Sequence, residues 1–442
     1  MGAHRTYLLF LVIAGCGRTG SGLRAGGPDA TTSSLSSPDV AGDRVAHSPD
    51  VRVCQWAGLA PQVTYEASGD AAVAVADFNG DGYADIVVTA WGNGTPSSAA
   101  SGKVKASVYL NHGDGTFAAA ASTYNTDMET TSVAAGDFSG DGKVDFVVMA
   151  LGTLDVFVNQ GDGTFGSLIP HAVPTSALVM ATGDFNGDGH PDLAVTTQDR
   201  AIDILLGDGK GGFAAPIAYA TGTEVDSIAV SDLNGDGYPD IVVTNAELAG
   251  TCPGALCLPT GLGAGTVNVL INQGDGTFAP QASYASGNGT ASVAVGDLNG
   301  DGVPDIAVTN SVDNTLSVFF NAGDGTFGPP ATYANAGSGT AVPGVGFPGT
   351  GGGVVAADFN GDGDGDIVVV QASRQDRNGV VMLFANAGDG RLLTPVIYAF
   401  AGSPQALAVA DFNGDGLPDL AVTSVDNTRG AFVMGVFLSE CK

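Results

Sequence analysis

A nine-residue motif that begins and ends with aspartate recurs seven times along this 442-residue chain. Its copies read DFNGDGYAD, DFSGDGKVD, DFNGDGHPD, DLNGDGYPD, DLNGDGVPD, DFNGDGDGD and DFNGDGLPD. They begin at Asp77, Asp137, Asp184, Asp232, Asp297, Asp358 and Asp411. Successive copies start between 47 residues (137 to 184) and 65 residues (232 to 297) apart, a period typical of one four-stranded propeller blade.

The segments around each motif alternate in the manner of β-strands. A run such as AVAVAD precedes each copy, a run such as DIVVT follows it, and six repeats then carry a Gly-Asp-Gly motif typical of a hairpin. Each repeat therefore predicts four strands: strand A before the nine-residue motif, strand B after it, and strands C and D before and after the Gly-Asp-Gly hairpin. The last repeat lacks strand D, whereas an extra strand, Val63–Ser68, precedes the first A strand. We predict an all-β, seven-bladed β-propeller of four-stranded blades, closed by this N-terminal strand.

The nine-residue motif has the composition of an oxygen cage for a hard cation. Aspartate at positions 1, 5 and 9, Asn or Ser at position 3 and the carbonyl at position 7 supply oxygens, and glycine at position 6 permits the turn. Valine at position 12 in every copy excludes an EF-hand, which needs glutamate there. The loops predict up to seven Ca²⁺ ions; the alternative is that the aspartates only form turns.

The predicted metal ligands share these five positions in each loop. They are Asp77, Asn79, Asp81, Tyr83, Asp85; Asp137, Ser139, Asp141, Lys143, Asp145; Asp184, Asn186, Asp188, His190, Asp192; Asp232, Asn234, Asp236, Tyr238, Asp240; Asp297, Asn299, Asp301, Val303, Asp305; Asp358, Asn360, Asp362, Asp364, Asp366; and Asp411, Asn413, Asp415, Leu417, Asp419.

These loops resemble the FG-GAP-like (VCBS-type) repeat family, which is related to the calcium-loop repeats of the integrin α-subunit propeller. The resemblance covers about residues 62–440 and implies a calcium-binding propeller. The integrin-type Gly-Ala-Pro after strand B is absent, so integrin partners are not implied. The aspartates of the Gly-Asp-Gly hairpin motif are interpreted as turn formers rather than metal ligands.

The N-terminus resembles that of a bacterial lipoprotein. A short apolar run, Tyr7 to Ala14, ends in Ala14-Gly15-Cys16, which is similar to a lipobox with Cys16 as the lipidated residue; a plain signal peptide is the alternative. We predict a signal peptide at 1–15, a flexible tether at 16–60 and the propeller at 61–442. The expected location is the cell envelope, anchored by lipid in the outer membrane, or outside the cell.

Four further cysteines fit an oxidising compartment. Their even number allows three pairings. The short spacing from Cys252 to Cys257 suits a local disulfide, which leaves Cys54 to pair with Cys441; free thiols are the alternative.

Charge and motif content favour binding over catalysis. A formal net charge of −31 argues against nucleic acid as a partner. No familiar catalytic motif is present. A tyrosine recurs in strand D of most repeats, and His171 stands in its place in the second repeat, which indicates a structural role for this histidine. We therefore favour a monomeric cell-surface binding or adhesion propeller for carbohydrate or protein, which touches membrane only through its lipid. The alternatives are a polysaccharide lyase or hydrolase, and a structural envelope protein.

The long connections are predicted to lie on one face of the ring, opposite the metal loops. They are Gly92–Gly102, Ala246–Gly265 and Ala334–Gly353. Enlarged loops on a rigid scaffold are typical of a recognition surface, although insertions also accumulate wherever they are tolerated. The candidate ligand contacts on this face are Trp91, Arg374, Asp376 and Arg377.

Overall fold

The computed structural model describes residues 56–67, 72–89, 104–119, 122–126, 130–150, 152–174, 176–222, 225–249, 261–334, 352–372, 379–400, 402–426 and 431–441. In these ranges every regular element is a β-strand, thirty in all. They form seven four-stranded antiparallel sheets, which are the blades of a ring, and one two-stranded ribbon. No helix in the described part of the chain has the length and apolar character needed to cross a membrane.

Blades one to three each consist of four consecutive strands. Their strands are β3 (Ala72–Ala76), β4 (Asp85–Thr89), β5 (Val104–Tyr109), β6 (Ser122–Thr126); β7 (Thr130–Gly136), β8 (Asp145–Ala150), β9 (Thr153–Asn159), β10 (Phe165–Ala172); and β11 (Ala177–Gly183), β12 (Asp192–Thr197), β13 (Ala201–Leu205), β14 (Ile217–Ala220).

Blades four to six repeat this order. Their strands are β15 (Val225–Ser231), β16 (Asp240–Ala249), β17 (Gly261–Leu270), β18 (Ala282–Asn288); β19 (Thr290–Gly296), β20 (Asp305–Asn310), β21 (Thr315–Phe319), β22 (Ala331–Ala334); and β23 (Gly352–Ala357), β24 (Asp366–Ala372), β25 (Gly379–Phe384), β26 (Val396–Phe400).

The seventh blade joins the two ends of the chain. It combines β27 (Ser403–Ala410), β28 (Asp419–Asp426) and β29 (Ala431–Phe437) with the N-terminal strand β2 (Val63–Glu66), which pairs with β29. The ring closure predicted from the sequence is therefore confirmed. Beside it, β1 (Trp56–Leu59) pairs with β30 (Ser439–Cys441).

The backbone at the closure brings Cys441 opposite Trp56, two residues from Cys54. Cys54 itself lies outside the described residues, as do Cys252 and Cys257 of the second predicted disulfide and the predicted lipidation site Cys16. All three modifications therefore stay predictions.

The fourth blade departs from the sequence interpretation. The segment Ala246–Gly265 was expected to be a loop throughout, but β16 and β17 extend into it and pair as far as Ala249 and Gly261. Antiparallel pairing continues because backbone hydrogen bonds do not require large side chains, so a Gly- and Ala-rich stretch can extend a ladder. The ligand candidates Trp91, Arg374, Asp376 and Arg377 lie outside the described residues.

The core lies between the blades. Inner strands β3, β7, β11, β15, β19, β23 and β27 contact one another in order, and β27 contacts β3 to complete the ring. Each blade buries apolar side chains on both faces: Val88 packs toward the seventh blade and Val87 toward the second. Val88, at position 12 of the first motif, has 0 % exposure, so this position serves the core. The position-12 valines of the other six motifs are buried to the same extent.

Candidate cation loops and the contacts between blades

The aspartate at position 1 folds each loop around its own carboxylate. In the first blade, Asp77 Oδ1 accepts the Gly80 N–H at 2.7 Å and Oδ2 accepts the Gly82 N–H at 2.8 Å. Gly80 and Gly82 have φ of 76° and 91°, a region that favours glycine. The bond from position 6 to position 1 recurs in the other six loops at 2.8–2.9 Å. The glycines therefore let the backbone wrap a single carboxylate.

Positions 3 and 5 extend this pattern. Asn79 Oδ1 accepts the Asp81 N–H at 2.9 Å, and Asn79 Nδ2 donates to Asp81 Oδ2 at 2.9 Å. Asp81 Oδ1 accepts the Tyr83 N–H at 2.9 Å. The side chains of both residues remain partly or fully exposed. Together with Asp77 at position 1, Asn79 and Asp81 therefore place three oxygen-bearing side chains along one turn at the surface.

The aspartate at position 9 occupies a different environment, because it is fully buried. Asp85 has 0 % exposure; its Oδ2 accepts the Phe78 N–H at 2.9 Å, and its Oδ1 accepts the Asn111 N–H at 2.8 Å. One carboxylate therefore joins the start of the loop to the end of strand C. Equivalent bonds are made by Asp192, Asp240, Asp305, Asp366 and Asp419, and Asp145 differs only in accepting from Ser139 N. Sequence reasoning assigned this residue only as a ligand and missed its bridging role.

Burial makes the charge on these carboxylates costly. Loss of hydration raises the pKa of Asp85 to about 6; its two backbone hydrogen bonds oppose the shift, and the charges of Asp81 and Asp77 add to it. The same causes raise the pKa of Asp366 and of Asp419 to about 7. A divalent cation among these oxygens would offset the repulsion between neighbouring carboxylates.

The donor set suits a hard cation such as Ca²⁺, which prefers carboxylate, amide and carbonyl oxygens. The loop aspartates accept hydrogen bonds mainly from backbone N–H groups. In the described ranges, no group of three or more His, Cys, Asp or Glu side chains is arranged as a preformed metal site. Each carboxylate oxygen has a second lone pair, so these bonds are compatible with a bound cation. Calcium binding at the thirty-five predicted positions stays a prediction.

In five of the seven blades an asparagine at the end of strand C fastens the blade to the preceding one. Asn111 Nδ2 donates to Ala84 O in its own blade at 3.0 Å and to Phe412 O in the seventh blade at 2.8 Å. The same pair of bonds is made by Asn159, Asn272, Asn321 and Asn386. We refer to these five residues as the Asn latches. The sequence shows them as the first residue of the N-x-G-D-G motif, which was interpreted only as a turn.

Two blades lack an Asn latch. Gly207 holds the position in the third blade, where the Gly211 N–H donates directly to Phe138 O of the second blade at 2.7 Å. Ser439 holds it in the seventh blade, and its hydroxyl donates to Pro418 O of the same blade at 2.6 Å.

The recurring strand-D tyrosine makes a second connection between blades. Tyr124 Oη accepts the Phe165 N–H of the next blade at 2.7 Å, and its ring packs edge-on against Phe165. His171 replaces this tyrosine in the second blade; its Nε2 lies 2.6 Å from Gly211 O and its ring packs against Phe213. These contacts agree with the structural role predicted for His171.

The aspartates of the hairpin motif behave as turn formers. Asp114 Oδ1 accepts hydrogen bonds from the backbone N–H of Thr116 at 3.0 Å and from its hydroxyl at 2.6 Å. These two bonds lower the pKa of Asp114, and the equivalent bonds lower that of Asp162. The hairpins therefore use their carboxylates locally.

Comparison with known proteins identifies the repeats. The model of the FG-GAP-like repeat matches residues 91–148, 137–195, 184–243, 256–308, 297–369 and 358–422, and that of the FG-GAP repeat matches residues 70–105. The match 137–195 runs from position 1 of one loop to position 12 of the next, so one matched unit contains two of the nine-residue motifs. No curated protein matches the chain significantly.

Many solved structures are similar in fold, including the following two. BBS1N, determined in complex with ARL6DN, is 11 % identical with a TM-score of 0.53, covering 86 % of this chain and 97 % of its own. A lectin of Agrocybe aegerita, described as recognising non-reducing terminal N-acetylglucosamine, is 20 % identical with a TM-score of 0.50, covering 75 % of this chain and 87 % of its own. At these identities the likeness concerns the fold alone.

Proposed function

This chain belongs to the FG-GAP-like repeat family, and on that premise we propose that it is a calcium-stabilised propeller which binds carbohydrate or protein at the bacterial cell surface. The observation that carries the calcium part is the buried carboxylate at position 9 of each loop, with two further aspartates beside it. Calcium supplies the positive charge that these groups lack. Seven ions would carry 7 × 2 = 14 positive charges against the formal net charge of −31.

The binding part of the proposal follows from the rigidity of the ring. The Asn latches and the strand-D tyrosines fix neighbouring blades to one another on the loop side, and the position-9 aspartates fix each loop to strand C of its own blade. The strand order of each blade places the strand ends that the B–C and D–A connections join on the other side of the ring, and these connections differ in length, which suits recognition on a rigid scaffold. The lectin and BBS1N support carbohydrate and protein, respectively, as ligand classes for such a ring.

A glycan array probed with the calcium-loaded chain, with an affinity capture from envelope extract beside it, tests this function. For a ligand found in either way, we expect Trp91→Ala or Arg377→Ala to weaken binding at least tenfold while leaving the unfolding temperature unchanged. His112→Ala is the matched control, because His112 is exposed on a hairpin of the metal-loop side. If His112→Ala weakens binding and the other two variants do not, the ligand face is assigned to the wrong side.

A further inference from the structure

In four of the seven blades the residue at position 7 lies close to the loop of the preceding blade; these residues are Tyr83, Tyr238, Asp364 and Leu417. A Cβ built on Gly274 in the hairpin of the fourth blade would lie 2.8 Å from the Tyr238 ring, and one built on Gly187 in the third loop would lie at the same distance from it. The Tyr238 side chain therefore lies between two loops. Tyr83 is placed in the same way between Gly113 of its own blade and Gly414 of the seventh blade.

The formal charge at position 7 differs between the loops. It is positive in the second blade, where the residue is Lys143, and negative in the sixth, where the residue is Asp364. The other five residues carry no formal charge at pH 7: Tyr83, His190, Tyr238, Val303 and Leu417.

The ammonium group of Lys143 contacts a predicted calcium ligand, Asp141. Its Nζ donates to Asp141 Oδ2 at 3.1 Å. In the first loop the equivalent oxygen, Asp81 Oδ2, accepts from the neutral Asn79 amide at 2.9 Å instead. The second loop therefore contains a cation of its own.

Asp364 has the opposite effect, because it adds a carboxylate between two loops. Its Oδ1 would lie 2.8 Å from a Cβ built on Gly300 in the fifth loop, and its Oδ2 would lie 2.8 Å from one built on Gly388 in its own hairpin. Gly300 belongs to the fifth loop, so the carboxylate of Asp364 lies close to a loop outside its own blade.

We propose that the charge at position 7 ranks the loops in calcium affinity, with Lys143 making the loop of the second blade the weakest and Asp364 making the loops of the fifth and sixth blades the tightest. The proposal rests on the calcium binding proposed above. A unit charge a few ångströms from a divalent ion changes its binding constant by roughly tenfold even at the dielectric constant of water.

The test measures calcium binding to the full-length chain after chelation, by titration calorimetry and by native mass spectrometry. Lys143→Met is expected to tighten the weakest site roughly tenfold, and Asp364→Asn is expected to weaken the tightest sites roughly tenfold. Lys143→Arg retains the charge and is expected to bind calcium as the unaltered chain does. The matched controls are Lys105→Met and Glu66→Gln, which remove exposed charges from strands β5 and β2.

Each result has a defined meaning. If calcium binds but Lys143→Met leaves the weakest dissociation constant within twofold, or if Lys143→Arg behaves as Lys143→Met does, the ranking is wrong and calcium binding stands. If the unaltered chain binds no calcium, the proposed calcium binding fails and the ranking fails with it.

Discussion

Replacing Asn159 by alanine tests the Asn latches. The side-chain amide donates to Phe78 O at 2.8 Å and to Val144 O at 2.7 Å, and its oxygen accepts the Gly161 N–H at 2.7 Å. A hydrogen bond contributes about 0.5–1.5 kcal/mol net, and a buried group left without its partner adds a desolvation cost. Asn159 is only 2 % exposed. We expect the free energy of unfolding to fall by about 2–4 kcal/mol.

Denaturant unfolding at a fixed, saturating calcium concentration measures this change, with the free energy taken from the midpoint and slope of the transition. Gln160→Ala is the matched control, because Gln160 is exposed and its amide makes one long bond, 3.3 Å, to Val158 O. We expect this neighbour to alter the free energy of unfolding by less than about 0.5 kcal/mol.

The variant Asn159→Asp separates lost donors from lost volume. It keeps the shape of the side chain and the oxygen that accepts from Gly161, but it replaces the donating amide by a carboxylate that faces two carbonyl oxygens. We expect it to destabilise the propeller at least as much as Asn159→Ala does at pH 7. The reasoning is refuted if Asn159→Asp is as stable as the unaltered chain, or if Gln160→Ala is as damaging as Asn159→Ala.

Three further predictions concern charge, covalent closure and anchoring. The raised pKa values of Asp85 and Asp419 mean that the folded, calcium-free chain binds more protons than the unfolded chain between about pH 4 and pH 7. Its free energy of unfolding should therefore fall as the pH rises through that window, and a rise contradicts the prediction. Cys54 and Cys441 should be recovered as one disulfide-linked peptide without reductant, and free thiols at both positions contradict this. Cys16→Ala should abolish incorporation of labelled palmitate, and persistent labelling assigns the lipid to another residue.

Most of the fold could be predicted because its signals are local and repeated. The strand Val63–Ser68 and the incomplete last repeat together indicated how the ring closes, and β2 pairs with β29 as expected. Valine at position 12, such as Val88, is buried in the core, in agreement with the exclusion of an EF-hand. Both inferences needed only spacing and residue type.

The contacts between blades could not be predicted in the same way. The Asn111 side chain donates a hydrogen bond to Phe412 O, 301 positions away in the sequence, and the spacing of a repeated motif does not predict such a distant partner. Asp85 was predicted as a calcium ligand, but its hydrogen bond from Asn111 N depends on how the loop and the hairpin meet in space. The Gly-rich segment of the fourth blade was misinterpreted because composition does not limit how far an antiparallel ladder extends.

The most direct test of calcium stabilisation is the thermal unfolding midpoint of the full-length chain, measured with a calcium chelator and again after calcium is restored. Each site held at 100 times its dissociation constant adds about 2.7 kcal/mol to the free energy of unfolding. Several occupied loops should therefore raise the midpoint by well over ten degrees, and magnesium at the same concentration should raise it less. A midpoint that stays the same with chelator and with excess calcium would contradict the account.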